Sequence, residues 1–188
     1  MISIYTKWIE RRFCKYEPLI KLCRLYYRDI VKEEIEAANI RSWDKILCIG
    51  GGSIPCTAIE IVRQTNAQVH VVDIDNNAVK CARNVVAKLG LHEKITVINE
   101  KGQDIDIEPY DVIHLALQVS PKEEVLQNIW SKSKEGNRII IRIPRKTLKP
   151  FYSNITDDFI KKYSETIKSI PLDYKANTMG AILLMEKI

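Results

Sequence analysis

A short buried strand that ends in three glycines most constrains how this chain folds. Residues 45–49 form an apolar run, the glycines occupy positions 50 to 52, and a helical pattern covers residues 55–64. A second apolar run, rich in valine, spans residues 68–74. Two buried strands joined by a helix are typical of a parallel crossover unit. The sequence therefore predicts an α/β protein whose sheet begins with this unit.

The same alternation of strands and helices continues along the chain. Strands are predicted at residues 94–98, 110–117 and 138–143, and two closing strands at 166–171 and 180–186 suggest an antiparallel hairpin at the sheet edge. Repeated alternation predicts right-handed crossovers. We expect a Rossmann-like, doubly wound, mostly parallel seven-stranded sheet with a C-terminal antiparallel hairpin, preceded by N-terminal helices.

The chain length favours one compact unit over two independent domains. An amphipathic helical pattern spans residues 19–35. We expect residues 1–44 to form an N-terminal helical cover and residues 45–188 to form the ligand-binding domain.

Helix ends carry their own signals. Asp75 precedes a helical stripe and can cap it, and Gly90 stands where a left-handed cap belongs. The sequence from Ser120 to Glu123 predicts a capping box, with Ser120 at the N-cap and Pro121 at the first helical position. The helix that follows is expected to end near Lys132.

The composition narrows the class of protein. Hydrophobic residues make up 46% of the chain, charged residues make up 28%, and the net charge is +5. These values fit a globular protein with little extended disorder. No apolar stretch reaches the roughly 18 residues that a membrane-spanning helix needs, and the N-terminus lacks a secretory signal. We expect a cytoplasmic protein with no membrane partner.

The five cysteines are odd in number and lack the close paired spacing of a zinc site. We expect reduced thiols, with Cys48 and Cys81 in the core, and no metal site. A disulfide or metal role for one of them is the rarer alternative, because buried free cysteine commonly behaves as a small hydrophobe.

Basic residues concentrate between positions 132 and 149, with seven basic residues against one acidic residue. A solvated surface is the more frequent role of such a segment. The alternative is an anion-binding rim, which would include an RNA surface. No aromatic residue interleaves with these charges, so nucleic acid ranks last among the predicted partners.

In a doubly wound sheet, ligands bind beyond the carboxyl ends of the strands. Gly50, Gly51 and Gly52 lie at such an end, where glycine lets backbone approach a ligand closely. Asp73 ends the second strand, where a carboxylate can accept both hydroxyls of a ribose. Asp75 competes for this role, and a purely structural tight turn is the alternative for the glycines. The full set of predicted ligand-contacting residues is Gly50, Gly51, Gly52, Ser53, Asp73, Ile74, Gly102, Gln103, Ala116, Leu117 and Gln118.

Other loops and one helix carry further candidates. The segment from Lys101 to Asp104 follows the third strand and is expected to contact the adenine edge of a nucleoside. His114 lies within the fourth strand, where a core histidine and a catalytic base are alternatives. Tyr26 and Tyr27 can reach over the ligand as a lid or as catalytic groups that position an acceptor, or they pack in the core.

The stretch from Ile49 to Ile59, with Pro55 and Thr57 after the glycines, resembles a motif of nicotianamine synthases and their archaeal relatives. The sheet as a whole resembles the class I S-adenosylmethionine-dependent methyltransferase fold. Further similarity runs through residues 116–122, 128–129, 138–142 and 175–178. The resemblance implies S-adenosylmethionine as cofactor, and it matches Tyr26 or Tyr27 to a tyrosine of the synthases.

The chain also departs from these families. Cys48 stands where many methyltransferases have an acidic residue that holds the methionine amine. The synthases carry a helical domain that supplies a glutamate, and no counterpart of that glutamate is assigned from this sequence.

We therefore expect an S-adenosylmethionine-dependent transferase that acts on a small acceptor bearing an amine or a carboxylate. Methyl transfer and aminocarboxypropyl transfer both remain open at this point. The alternatives from other classes are a cofactor-binding module without activity and an RNA methyltransferase.

Overall fold

One mixed sheet of seven strands organises residues 16–172 and 178–187, which the computed structural model describes. The strand order is β3-β2-β1-β4-β5-β7-β6. Strands β1 to β5 are parallel, whereas β7 runs antiparallel to both β5 and β6. The strands are β1 Lys45–Ile49, β2 Gln68–Asp73, β3 Ile95–Asn99, β4 Val112–Leu115, β5 Arg138–Pro144, β6 Ile167–Pro171 and β7 Met179–Glu186.

Helices cover both faces of this sheet. No helix within residues 16–172 and 178–187 is both long enough and apolar enough to cross a bilayer. Short 3-10 turns at Lys146–Phe151 and Ser164–Thr166 follow β5 and precede β6. The helices are α1 Glu17–Ala37, α2 Cys56–Thr65, α3 Asn76–Lys88, α4 Lys122–Lys132 and α5 Asp157–Lys162.

The predicted architecture is confirmed. The sheet is doubly wound and mostly parallel, and its last two strands pair antiparallel as expected. The strand order places β1 and β4 side by side, with their chain connections leaving in opposite directions across the sheet. This switch point is where ligands bind in sheets of this type.

The core lies on both faces of the sheet. On one face, α1, α2 and α3 contribute side chains such as Ile30, Ile59 and Val79. On the other face, α4 and α5 contribute Leu126 and Phe159. Burial of these apolar side chains removes each of them from water, which is the main favourable contribution to folding.

Helix α1 is fixed to the domain by more than apolar contacts. The Arg24 guanidinium donates to the Glu60 carboxylate of α2 at 2.8 Å, and Glu60 is buried. The Arg138 guanidinium of β5 donates to the carbonyls of Ala38 and Asn39, just beyond the end of α1. The N-terminal helix is therefore part of the same packed unit as the sheet.

Of the three predicted helix caps, two are confirmed and one is wrong. Asp75 caps α3 by accepting from the backbone N–H of Asn77, and Gly90 has φ +67° after the end of α3. Ser120 is not an N-cap, because α4 begins at Lys122 and no cap side chain binds its first turn. The Lys122 backbone N–H instead donates to the Ser153 hydroxyl at 2.8 Å.

Candidate functional site

Two adjoining cavities open at the carboxyl ends of β1, β2 and β4. The first has a volume of about 580 Å³ and extends along the end of β2. The second has a volume of about 430 Å³ and lies under α1 and the glycine turn. Ile49, Gly50, Gln118 and Tyr152 line both. An elongated ligand could therefore occupy the two cavities at once.

The glycine turn lies close against β2. Gly50 has φ +84°, and its N–H donates to the Val72 carbonyl at 2.8 Å. A Cβ added to Gly51 would stand only 2.0 Å from Cγ1 of Val71. Both positions therefore need glycine, one for its conformation and the other for close approach.

Asp73 joins this turn to the end of β2. Its Oδ2 accepts from the Gly52 N–H at 2.7 Å, and its Oδ1 accepts from the Asp75 N–H at 2.9 Å. The carboxylate lines the first cavity and is partly exposed. Each carboxylate oxygen can accept a second hydrogen bond, so Asp73 is able to hold the paired hydroxyls of a ribose.

The remaining predicted residues of the first cavity come from two loops. Ile74 is 66% exposed, which leaves its apolar side chain available to a flat ligand ring. Gly102 and Gln103 line the same cavity. The Asn128 side-chain amide of α4 donates to the Gln103 carbonyl, which fixes the loop after β3 against α4.

The second cavity contains both predicted tyrosines. The Tyr26 and Tyr27 rings meet edge to face, with centroids 5.1 Å apart, and the Tyr26 hydroxyl lies 3.4 Å from the Thr178 hydroxyl. Ala116 and Leu117 line this cavity too. Residues 175–177, part of the resemblance described above, lie outside the described residues.

The sequence placed Ser53 with the ligand-contacting residues. Its side chain is buried and lines neither cavity, although its neighbours Gly52 and Ile54 line the second.

A buried polar cluster adjoins the second cavity. The Arg142 guanidinium donates to both carboxylate oxygens of Glu34, from Nε at 2.7 Å and from Nη2 at 2.8 Å. His114 Nε2 lies 3.2 Å from the same Oε1 of Glu34. All three residues are at most 3% exposed. Arg142 also lies 5.0 Å from the ring centroid of Tyr27.

The cluster sets the charges of its members. Burial alone raises the pKa of Glu34, but Arg142 and His114 overcome this effect and lower that pKa to about 2. Burial lowers the pKa of His114, so its ring is neutral at pH 7. Burial also raises the pKa of Cys48 to about 12. Cys48 is a neutral thiol and lines the second cavity without charge.

Lys122 fixes the loop that follows β4. Its Nζ donates to the carbonyls of Ala116 at 3.2 Å, Leu117 at 2.9 Å and Arg142 at 2.9 Å. Its side chain is fully buried, and burial together with the charge of Arg142 lowers the pKa of Lys122 to about 7. The three acceptors match the three donors of an ammonium group.

Three buried charged residues beside the cavities are not predicted from the sequence as part of the site, namely Glu34, Lys122 and Arg142. The sequence does contain a signal for Glu34. This residue lies four positions after the buried Ile30, and it is therefore on the apolar face of α1. Arg142 occupies a buried position in a strand that was predicted from its isoleucines. A charged residue at a core position usually has a buried partner.

The basic segment from residue 132 to 149 is not one continuous charged surface. Arg142 is buried and paired with Glu34, and Arg138 donates to the Asp44 carboxylate at 2.9 Å. Lys134 donates to the exposed Glu108 carboxylate at 2.9 Å. Three of the seven basic residues are therefore already paired within the fold.

Comparison with known proteins identifies similar chains. Residues 8–187 match the family model described as nicotianamine synthase protein. An L-histidine 2-aminobutanoyltransferase of Yersinia pestis is 28% identical over 116 residues, which are 62% of this chain and 43% of that protein. The enzyme of that name from Pseudomonas aeruginosa is 25% identical over 114 residues, 60% of this chain and 43% of the relative. The match covers less than half the length of either relative.

Solved structures show the same fold. A variant of MtNAS in complex with S-adenosylmethionine has a TM-score of 0.80 at 22% identity, over 99% of this chain and 74% of that chain. An RNA methyltransferase from Salinibacter ruber in complex with S-adenosyl-L-homocysteine has a TM-score of 0.64 at 16% identity, over 85% of this chain and 90% of that chain. At these identities, the likeness concerns the fold alone.

Proposed function

Since the chain belongs to the nicotianamine synthase family, we propose that it is an S-adenosylmethionine-dependent transferase that moves an aminocarboxypropyl group onto the amine of a small acceptor. The observation that carries this proposal is the pair of adjoining cavities, with Asp73 in one and Tyr26, Tyr27 and Arg142 in the other. The names of the curated relatives, which transfer an aminobutanoyl group to L-histidine, support the same reaction class.

The donor substrate is assigned to the two cavities by the residues that line them. The adenosine portion is assigned to the first cavity, where Asp73 accepts from the ribose hydroxyls and Ile74 packs against the adenine ring. The loop at Gly102 and Gln103 contacts the adenine edge. The sulfonium is assigned to the junction of the cavities at Gly50, and the methionine portion extends into the second cavity.

The reaction is a single displacement when donor and acceptor are both held in line. The acceptor nitrogen forms a bond to the γ-carbon of the methionine portion, and the carbon–sulfur bond breaks. Its electron pair stays on sulfur, which produces methylthioadenosine. The acceptor nitrogen releases one proton to water. Holding donor and acceptor in line lowers the barrier to such a step.

Tyr26 and Tyr27 are assigned to positioning of the acceptor. Both line the second cavity, and Tyr152 stands where the two cavities join. His114 is not assigned as a base, because its Nε2 faces the Glu34 carboxylate at 3.2 Å in a buried cluster.

The acceptor class is a small amino acid, and L-histidine is the first candidate to test, since the curated relatives are named for it. The purified chain should be incubated with S-adenosylmethionine and single amino acids. A product carrying one added aminocarboxypropyl group on nitrogen supports the proposal. Absence of S-adenosylmethionine binding by calorimetry would refute it.

A further inference from the structure

The two cavities differ in charge. Among the described residues that line the second cavity, Arg142 carries the only permanent charge, and no carboxylate is present. His114 also lines it, but burial lowers the pKa of that ring. Asp73, Glu100 and Lys101 line the first cavity. Glu34, which offsets the charge of Arg142, is not among the residues that line this cavity. The cavity therefore presents guanidinium donors and no carboxylate acceptor, which favours a ligand group that accepts hydrogen bonds.

The hydrogen bonds of Arg142 leave one end of its guanidinium without a partner. A guanidinium has five N–H donors, and Glu34 accepts from Nε and Nη2 along one edge. Within residues 16–172 and 178–187, no hydrogen bond involves Nη1. Arg142 is only 3% exposed, and buried donors without acceptors are costly. A ligand oxygen in the second cavity would satisfy them.

The neighbours of Arg142 hold its guanidinium in place. Glu34 fixes one edge, and the Tyr27 ring lies over the group at 5.0 Å from the ring centroid. The Lys122 ammonium binds the Arg142 backbone carbonyl at 2.9 Å. A guanidinium held in this way is preorganised to bind a planar anion.

We propose that Arg142 binds a carboxylate group in the second cavity. This inference rests on the proposed function, because both the methionine portion of the donor and an amino acid acceptor bring a carboxylate to the site. Cys48 lines the same cavity as a neutral thiol and therefore does not repel that carboxylate.

Pairs of ligands that differ only in a carboxylate test the proposal by calorimetry. The donor pair is S-adenosylmethionine and its decarboxylated form. The acceptor pair is L-histidine and histamine, each titrated with methylthioadenosine present. Methylthioadenosine alone lacks the amino acid portion, so it measures the nucleoside site independently. A preference for S-adenosylmethionine over its decarboxylated form identifies the donor as the source of the carboxylate. A preference for L-histidine over histamine identifies the acceptor.

The variants are Arg142→Gln and the paired change Glu34→Gln with Arg142→Met, which leaves no unpaired charge in the core. Arg138→Gln is the matched control, because Arg138 lies on the same strand and pairs with Asp44 but lines neither cavity. Methylthioadenosine affinity serves as the folding check for each variant.

We expect the wild-type chain to prefer the carboxylate-bearing member of at least one pair by roughly 10-fold to 100-fold, as a charge-assisted hydrogen bond provides. The Arg142 variants should lose this preference and keep methylthioadenosine affinity, whereas Arg138→Gln should retain both. Equal wild-type affinity within both pairs would overturn the inference, as would a preference that persists in the paired variant. If S-adenosylmethionine and methylthioadenosine both fail to bind the wild-type chain, the proposed function itself is wrong.

Discussion

The Asp73 carboxylate accepts a 2.7 Å hydrogen bond from the backbone N–H of Gly52. This bond connects the turn after β1 to the end of β2, so one side chain both shapes the turn and lines the first cavity. Asp73 thus has a structural role and a proposed ligand-binding role in the same place, and substitutions must separate the two.

Asp73→Ala should weaken S-adenosylmethionine binding by roughly 10-fold to 100-fold, because charge-assisted hydrogen bonds to the ribose are lost. Asp75→Ala is the matched control. It removes the cap of α3 and should cost about 1 kcal/mol of stability, with ligand affinity kept. Calorimetric titration of both variants checks this prediction. Equal loss of affinity in the two variants would contradict the assignment of the ribose to Asp73.

Gly51→Ala should lower the free energy of unfolding by about 1–3 kcal/mol, because the new Cβ meets Val71 and the turn must move. The displaced turn should also weaken S-adenosylmethionine binding. Gly90→Ala offers a comparison, since Gly90 has positive φ but open space around it. Gly90→Ala should lower the free energy of unfolding by about 1–2 kcal/mol and leave the affinity for S-adenosylmethionine unchanged. Urea unfolding and calorimetry together distinguish the two effects, and unchanged affinity in Gly51→Ala would count against the role of the turn.

Much of the fold follows from the sequence, because apolar runs and glycines mark where buried strands end. The turn at Gly50 and the carboxylate of Asp73 were placed correctly at the carboxyl edge of the sheet, since parallel strands bring their carboxyl ends together. The fourth strand is shorter than predicted, with four residues from Val112 to Leu115. Tyr110 is buried outside it and forms a hydrogen bond with His70 at 2.7 Å.

The buried charges could not be placed from the sequence, because their partners are distant along the chain. Glu34 and Arg142 are separated by 108 positions, and only the packing of α1 across β5 joins them. Lys122 was interpreted as part of a capping box, whereas its ammonium group lies inside the core. Pairwise contacts of this kind depend on tertiary structure, which local patterns do not encode.

Removing the charge of Glu34 should strongly destabilise the chain near neutral pH. Glu34→Gln leaves Arg142 buried without its counter-ion, which costs about 3–5 kcal/mol. Because the folded-state pKa of Glu34 is about 2, against an ordinary value of 4.5, its contribution is fully present above pH 4.5 and is lost as pH falls toward 2. The stability gap between wild type and variant should therefore shrink over that window.

Urea unfolding at pH 7, 4.5 and 3 measures this gap. Glu36→Gln is the control, because Glu36 is exposed and lies 3.9 Å from Lys32 on the helix surface. Glu36→Gln should change the free energy of unfolding by no more than about 0.5 kcal/mol. A gap that is constant from pH 7 to 3 would contradict the lowered pKa of Glu34.

Lys122→Met should alter the alkaline dependence of stability. The unfolded chain keeps the lysine proton up to its ordinary pKa of 10.5, whereas the folded chain releases it near 7. The unfolded state thus binds more protons between these values, so this group makes stability rise with pH across that range. Relative to wild type, Lys122→Met should lack this rise. The control is Lys132→Met, a substitution of an exposed lysine on the same helix, and it should keep the rise of stability with pH. Measurements of the free energy of unfolding from pH 7 to 10.5 distinguish the two variants.

Identification of the nucleoside by-product tests the proposed reaction most directly. The chain should be incubated with S-adenosylmethionine and L-histidine, and the products should be separated by liquid chromatography and identified by mass spectrometry. Asp73→Ala serves as the depleted control. Transfer of the aminocarboxypropyl group predicts methylthioadenosine, formed in equal amount with the modified acceptor and reduced in the variant. Accumulation of S-adenosylhomocysteine with a methylated acceptor would contradict the proposal and assign the chain to methyl transfer.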